Sequence, residues 1–337
     1  MRTDNERMLG ESPSFLRILE QVSLVAPLEK PVLLVGERGT GKELIASRLH
    51  FLSNRWEGQF AKMNCAAISE SLMESELFGH EAGAFTGATK THHGRFERAN
   101  GGTLFLDELA TTSMLVQEKL LRIIEYGEFE RVGGSKTLIC NVRLVAATNQ
   151  DLPTLARDNR FRSDLLDRLA FDVLTLPPLR EREDDIRLLA DHFAINMAKE
   201  LGRPLFAGFT PEVIAALEAY PWPGNIRELK NVIERCVYRT EPEARVDQIV
   251  FDPFDSPYRP QATPAASAVQ PLVPKWPTDI KAQTRTAEIE LITQAMRHAK
   301  HNQRKAAELL GLTYHQFRGY LKKYDLVGSD GTDDEDT

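Results

Sequence analysis

The apolar run "PVLLVGE" (31–37) passes directly into "GERGTGKE" (36–43), and a helical pattern follows from Lys42 to Leu52. A short buried strand, a glycine turn and a helix, in that order, point to a fold in which strands and helices alternate around a parallel sheet. The glycines Gly36, Gly39 and Gly41 let backbone N–H groups turn inward, and the helix start that follows favours an anion. The stretch fits the phosphate-binding pattern G-x-x-x-x-G-K, here Gly36, Glu37, Arg38, Gly39, Thr40, Gly41 and Lys42, with Lys42 as a point charge at the β/γ end. Glu43 then stands where Ser or Thr usually supplies a magnesium ligand, so taken alone the stretch could be a chance glycine-rich turn.

Three further runs have the same character: "FAKMNCA" (60–66), "GTLFLDE" (102–108) and "NVRLVAATN" (141–149). Each reads as a buried strand ending in polar residues, with helical stretches such as Met114–Tyr126 between them. In such α/β sheets chemistry sits at the carboxyl ends of the strands. Asp107 would hold Mg²⁺, usually through water, and Glu108 would orient and polarise an attacking water, although a strand-end acid pair can also simply face solvent. Asn64, Thr148 and Asn149 end two other strands, where polar groups can sense a γ-phosphate. Loop, acid pair and polar strand ends together imply ATP hydrolysis.

Three arginines are candidates to complete that site: Arg162 and Arg168 in "FRSDLLDRL", and Arg227 in "WPGNIREL". Each could instead be a surface arginine in an ion pair. Six residues turn a helix through about 240°, so Arg162 and Arg168 share one site only if Arg162 lies at the helix start. An arginine offered across a subunit boundary makes hydrolysis depend on assembly.

With 337 residues the chain exceeds one ordinary core, and 42% hydrophobic with 27% charged residues excludes overall disorder. After about residue 180 the strand pattern gives way to helices. The segment 253–278 holds seven prolines and little charge, and reads as a semi-rigid tether. The expected plan is an α/β nucleotide-binding subdomain (1–180), a helical subdomain (181–252), the linker (253–278), a helix-turn-helix domain (279–327) and an acidic disordered tail (328–337). Three scattered cysteines, Cys65, Cys140 and Cys236, suit buried thiols in a reducing cytoplasm, and no apolar run is long enough to cross a bilayer.

"GERGTGKE", "ELFGHEAGAFTGA", "GGTLFLDE", "LLRIIEYGEFERVGG", "VRLVAATN", "FRSDLLDRL", "LPPLRERE" and "WPGNIREL" occur in that order. Together they resemble the AAA+ domain of bacterial enhancer-binding proteins, the activators of sigma-54 RNA polymerase, over about residues 8–250. Glu43 after the lysine is usual in that family. The resemblance implies a ring, typically a homo-hexamer, with ATP and Mg²⁺ held by Lys42, Asp107 and Glu108. It implies that Asn64 pairs with Glu108 as a switch and that Thr148 and Asn149 form a first sensor. It further implies Arg162 and Arg168 as fingers acting in trans, and Arg227 as a second sensor.

"GAFTGA" (Gly83, Ala84, Phe85, Thr86, Gly87 and Ala88) lies where an ATPase of this class needs only a helix, so "EAGAFTGATKTHHG" reads as an insertion. An exposed, nearly apolar loop is costly without a partner. By resemblance that partner is the sigma-54 holoenzyme, touched through Phe85 and Thr86. The other reading is a gripping loop of an AAA+ unfoldase or remodelling chaperone. A second insertion, 126–140, reads as a hairpin turning at Gly133–Gly134 that supports the first. His80, His92 and His93 lack a clear metal-ligand spacing and read as surface histidines.

Residues 275–327 hold ten Lys/Arg against five Asp/Glu, although the whole chain carries −7. "NQRKAAELLGLTYHQFRGYLKKY" (302–324) reads as two helices about a turn at Gly311, joined by Ala306, Ala307, Leu310, Leu312, Phe317 and Leu321. Thr313, Tyr314, His315, Gln316 and Arg318 would face base edges, and Arg304, Lys305, Lys322 and Lys323 suit phosphates. A helical protein–protein module with a basic face is the alternative. The segment resembles the Fis-type helix-turn-helix and implies upstream activating DNA as a partner. Lys42 comes too early for a receiver domain of about 100 residues to precede it, giving an expectation of regulation in trans. The plan resembles the branch of the family that activates phage-shock operons, which implies inhibition by a phage-shock-protein-A-type regulator. Trp56, in a polar loop, is either half-buried packing or an inhibitor contact.

Overall fold

The computed structural model describes residues 8–256, 258–259, 280–299 and 302–326. Residues 260–278 of the expected linker and the whole expected tail lie outside them. The chain forms two compact units, Met1–Asp255 and Ser256–Thr337.

The first unit opens with α1 (Pro13–Val25), whose Phe15, Ile18, Val22 and Val25 make one buried stripe. Then come β1 (Val32–Val35), α2 (Lys42–Phe51), β2 (Phe60–Asn64), α3 (Glu70–Phe78), α4 (Arg95–Arg98) and β3 (Thr103–Asp107). These are followed by α5 (Met114–Tyr126), β4 (Glu128–Glu130), β5 (Thr137–Ile139), β6 (Arg143–Thr148), α6 (Leu152–Arg157), α7 (Ser163–Leu169) and β7 (Val173–Thr175). Helix α5 has the bounds expected from the sequence because both ends are fixed chemically. Ser113 Oγ accepts the Val116 N–H at 3.4 Å, and Gly127 closes the helix at φ 70°.

Five strands form a parallel sheet in the order β2-β3-β6-β1-β7. Alternate residues supply the two faces. Leu33, Leu104, Leu106, Leu144 and Ala146 pack into a core with α5 and α7, while Val32, Leu34, Phe105, Val145 and Ala147 pack against α1 and α2. Both faces are therefore covered, as a parallel sheet requires. The edge strand β7 and helix α1 were not visible in the strand–helix pattern. Register sets the site: Val35 pairs with Thr148 and Asn64 with Asp107, so the polar strand ends finish at one edge.

Beyond the sheet, α8 (Glu183–Glu200), α9 (Pro211–Ala219) and α10 (Asn225–Arg239) build a helical lid. Its own core includes Ile186, Leu189, Phe193, Trp222, Leu229 and Ile233. The second unit has α11 (Ile280–His298), α12 (Gln303–Leu309) and α13 (Tyr314–Lys323). All six apolar positions expected to join its helices lie in one cluster with Ile292, Ala295 and Ala299. The three cysteines are free and buried, and burial pushes the Cys65 thiol up to about 12 and that of Cys140 to about 11.

Candidate functional site

The loop after β1 is wrapped around its own lysine. Gly39 and Gly41 take left-handed backbone at φ 80° and 96°, and Gly41 precedes the first residue of α2. Lys42 is buried, and its Nζ donates to the carbonyls of Gly36 at 2.8 Å and Glu37 at 3.1 Å. Burial pushes the ammonium below its ordinary range, and the fields of Asp107 and Glu108 oppose that shift. Thr40 Oγ1 caps the Glu37 carbonyl at 2.9 Å. Glu43 points elsewhere, to an ion pair with Lys62 at 2.9 Å.

Opposite the loop, Asp107 ends β3 and accepts the N–H of Glu108 on Oδ1 at 2.9 Å. Glu108 is buried, with a left-handed backbone at φ 53° and ψ 43°. For a residue with a Cβ such a conformation is strained and needs support from its surroundings. The support is local: Arg38 Nε lies 3.4 Å from Glu108 Oε1, and the Asn149 amide, with its oxygen facing Arg38, donates to Glu108 Oε2 at 2.9 Å. The pairing of Asn64 with Glu108 implied by the resemblance is not the one present. Asn64 is in register with Asp107, one residue earlier, and its Oδ1 accepts the Ala66 N–H at 2.8 Å. The left-handed turn carries Glu108 out of strand alternation, toward β6. Thr148 is buried, its hydroxyl accepts the Gln150 N–H at 3.0 Å, and its carbonyl accepts the Gly36 N–H at 3.2 Å.

The arginines are spread around this edge. Arg227, in the first turn of α10, lies beside Gly39: a Cβ built at Gly39 would be 3.1 Å from that of Arg227. Its charge contributes to holding the Lys42 pKa down. Arg162 immediately precedes α7 and pairs with Asp164 at 2.7 Å. Arg168, at the other end of α7, is largely exposed and pairs with Glu125 at 2.8 Å.

The stretch 79–94 separates α3 from α4 as an irregular loop with GAFTGA at its tip. Gly83 and Gly87 take φ 86° and 102°, and the Gly83 N–H donates to the Ala88 carbonyl at 2.7 Å, closing the tip. Phe85 is 43% exposed and rests edge-on against His80, with ring centroids 4.9 Å apart, while Ala88 is buried. The β4–β5 hairpin braces this loop. Arg131 binds Glu81 at 2.7 Å and Glu97 at 2.7 Å, and a Cβ on Gly133 would lie 2.6 Å from Ala84 Cβ. Ion pairing with Arg131 outweighs burial and lowers the Glu97 carboxyl to about 2. Trp56 follows α2 and is 56% exposed, with the rest of its surface covered.

In the second unit Gly311 makes the turn at φ 65°, and Asn302 caps α12 by accepting the N–H groups of Arg304 and Lys305 at 3.1 Å. Thr313 and Gln316 form a reciprocal capping box at the start of α13. The Gln316 carbonyl oxygen is thus committed to Thr313, a duty the sequence reading did not assign. Arg304, Lys305, His315, Arg318 and Lys322 are exposed. Tyr314 is partly buried and reaches Gln303 at 3.5 Å, with Arg304 over its ring at 5.8 Å. Lys323 is engaged by Glu288 at 3.2 Å.

The model of the sigma-54 interaction domain matches residues 8–175, that of the AAA+ ATPase lid domain 180–262, and that of the Fis family of bacterial regulatory proteins 284–324. The Psp operon transcriptional activator of Escherichia coli (strain K12) is 61% identical over 95% of this chain and 98% of its own length. The chain belongs to the sigma-54 activator family. The Nif-specific regulatory protein of Azotobacter vinelandii is 43% identical over 92% of this chain, which spans 57% of that relative. NtrX from Brucella abortus, solved in complex with ATP, superposes with a TM-score of 0.68 at 29% identity, covering 95% of this chain and 70% of that one.

The chain is thus a sigma-54-dependent activator with an AAA+ ATPase domain and a Fis-type helix-turn-helix. Among the described residues no helix is long and apolar enough to cross a membrane. The sequence reading did not find two contacts that the lid side makes with the phosphate loop. Asn225 is fully buried and touches the phosphate loop, and Arg180 pairs with Glu37 at 2.6 Å. Both lie in quoted motifs, "WPGNIREL" and "LPPLRERE", but nothing in their spacing shows a partner more than 140 residues away.

Proposed function

We propose that this activator assembles as a hexameric ring in the cytoplasm. It binds upstream DNA through its C-terminal unit and uses ATP hydrolysis to remodel the closed sigma-54 polymerase–promoter complex. The observation that carries this is the conjunction of an AAA+ site with an exposed, nearly apolar GAFTGA tip held from beneath by Arg131. Gly36 to Gly41 offer backbone N–H groups to the phosphates of ATP and Lys42 offers a charge, once it leaves the loop carbonyls. Mg²⁺ fits the hard carboxylate oxygens at Asp107, where it would neutralise β/γ-phosphate charge. Glu108 orients water, and Thr148 and Asn149 report on the γ-phosphate. Arg162 and Arg168 reach the neighbouring subunit's nucleotide, and Arg227 brings the lid onto the same nucleotide. His315, Arg318 and Tyr314 read bases while Arg304, Lys305 and Lys322 contact phosphates; Thr313 and Gln316 also hold the helix start. The expected division into 1–180, 181–252, 253–278, 279–327 and 328–337 is part of this reading. The regulated operon is of the phage-shock, envelope-stress kind, with inhibition in trans by a phage-shock-protein-A-type regulator at exposed Trp56.

The test is binding of the purified protein to sigma-54 with ATP, ADP or ADP–aluminium fluoride, with Phe85→Ala as control. A complex formed with the transition-state mimic and lost in the variant is the expected result. Active ATPase with no complex under any nucleotide overturns the remodelling mechanism.

A further inference from the structure

A buried amide sits where the lid meets the phosphate loop. Asn225 is the first residue of α10, has no exposed surface and takes a left-handed backbone at φ 53°, which Asn tolerates better than most residues. Its Oδ1 accepts the N–H of Leu179, in the segment joining sheet to lid, at 2.8 Å. Its Nδ2 donates to Glu37 Oε2 and to the Arg38 carbonyl, both at 3.0 Å. The next residue extends the contact, with the Ile226 N–H on the Gly39 carbonyl at 3.0 Å. Only glycine permits this approach, since a Cβ on Gly39 would lie 2.3 Å from the Gly224 carbonyl oxygen.

Loop residues 37, 38 and 39 are therefore each tied to the start of the helix that carries Arg227. Those same residues shape the cradle around Lys42, whose Nζ occupies the carbonyls of Gly36 and Glu37. A phosphate that draws Lys42 away must alter the set of Glu37, and through Asn225 that displacement reaches α10 and the 179 segment together. The neighbouring Glu37–Arg180 ion pair is bidentate, at 2.6 and 3.0 Å, but each side chain is about half-exposed, so solvent screens it. The buried amide is removed from that screening and also holds the loop backbone, at the Arg38 carbonyl.

We infer that Asn225, acting through Glu37, is a positioning residue that transmits the state of the phosphate loop to the lid, so that nucleotide binding sets where α10 and Arg227 stand. This inference rests on the ATPase assignment and does not depend on the sigma-54 contact or the remodelling mechanism.

The experiment compares the full chain with Asn225→Asp, Glu37→Ala, Arg180→Gln and the double variant Asn225→Asp/Glu37→Gln. ADP affinity is measured first, then hydrogen exchange with and without saturating ADP. Asn225→Asp keeps the acceptor for Leu179 but sets two carboxylates face to face, and adding Glu37→Gln returns a donor to the contact. In the parent, ADP is expected to protect both the phosphate loop and the first turns of α10. Asn225→Asp and Glu37→Ala should bind ADP about tenfold more weakly. At saturation they should protect the phosphate loop while leaving α10 unchanged. Arg180→Gln should behave as the parent, and the double variant should regain part of the α10 response. Parent-like α10 protection in the single variants overturns the inference. So does equal loss in Arg180→Gln, or a double variant whose losses simply add. If Asn225→Asp does not fold, Glu37→Ala, altered only at a half-exposed loop residue, decides by the same readout.

Discussion

Asp185 in α8 fixes the N-terminal segment to the lid, and removing its carboxylate should be among the most destabilising single changes in the first unit. The side chain is fully buried and accepts four hydrogen bonds, from the N–H groups of Glu11 at 2.5 Å and Ser12 at 2.9 Å, Ser12 Oγ at 2.8 Å and Arg182 Nε at 2.7 Å. Arg182 is equally buried and lies over the Phe15 ring at 3.8 Å. Asp185→Ala leaves that guanidinium charged, dry and without its counter-ion. Breaking a buried pair in this way costs about 3–5 kcal/mol. For a unit of this size that corresponds to a Tm lower by roughly 6–20 °C. Burial pushes the Asp185 carboxyl up, but the bonds from Glu11, Arg182 and Ser12 outweigh it and hold the group below its usual 3.8. A folded pKa below the unfolded one gives stability that is complete above about pH 4 and is lost as pH falls through the folded value. Urea titrations of parent, Asp185→Ala and Asp185→Asn at pH 7, then between pH 5 and 3, test both points. The double change Arg182→Met/Asp185→Leu should recover much of the loss, because an apolar pair has no charge to desolvate. An Asp185→Ala variant within about 1 kcal/mol of the parent refutes the reasoning. So does an acid-side slope in Asp185→Asn equal to the parent's.

Four further outcomes follow from the geometry. Lys42→Ala should abolish measurable ATP binding in calorimetry while leaving the far-ultraviolet circular dichroism spectrum unchanged. Arg168→Ala should bind ATP normally yet lose on the order of 10³-fold in steady-state turnover, the range for a transition-state arginine; parent-like turnover at high protein concentration would exclude the trans role. Gly133→Ala, at φ 73° and against Ala84, should keep ATPase activity within about threefold and lose the sigma-54 complex, as the GAFTGA loop is displaced. Gln316→Ala removes half of the capping box and should lower the stability of the C-terminal unit by about 1 kcal/mol, read by thermal melting, besides weakening DNA binding.

Much of the candidate site could be placed from the sequence because its residues sit next to fold signals. Gly41 and Lys42 open α2, Asp107 ends a run of four buried residues, and Thr148 ends β6, so each could be placed by finding where a strand stops. Helix α5 could be read to the residue because a serine cap and a left-handed glycine bound it. Strand β7 escaped because three residues with one buried position carry no period, and its place is set by pairing with β1. The partners of Glu108 escaped for a different reason. A left-handed backbone at a glutamate contradicts local preference, so only surrounding contacts from residues 38 and 149 could determine where its carboxylate points. Arg131 with Glu81 and Glu97, and Asn225 with Glu37, join residues tens to nearly two hundred positions apart, and a single sequence carries no trace of such pairs.

The backbone at Glu108 also sets two kinds of selection against each other. Glycine there would relieve a strain of order 1 kcal/mol, so a screen for heat resistance alone would tend to accept it, whereas a screen for hydrolysis would discard it. At Asn225 the left-handed turn suits the residue, and both screens should keep the amide. Variant libraries scored once for survival on heating and once for turnover would therefore part company at residue 108 and agree at 225. That divergence would test, from selection alone, whether residue 108 carries the carboxylate that hydrolysis needs.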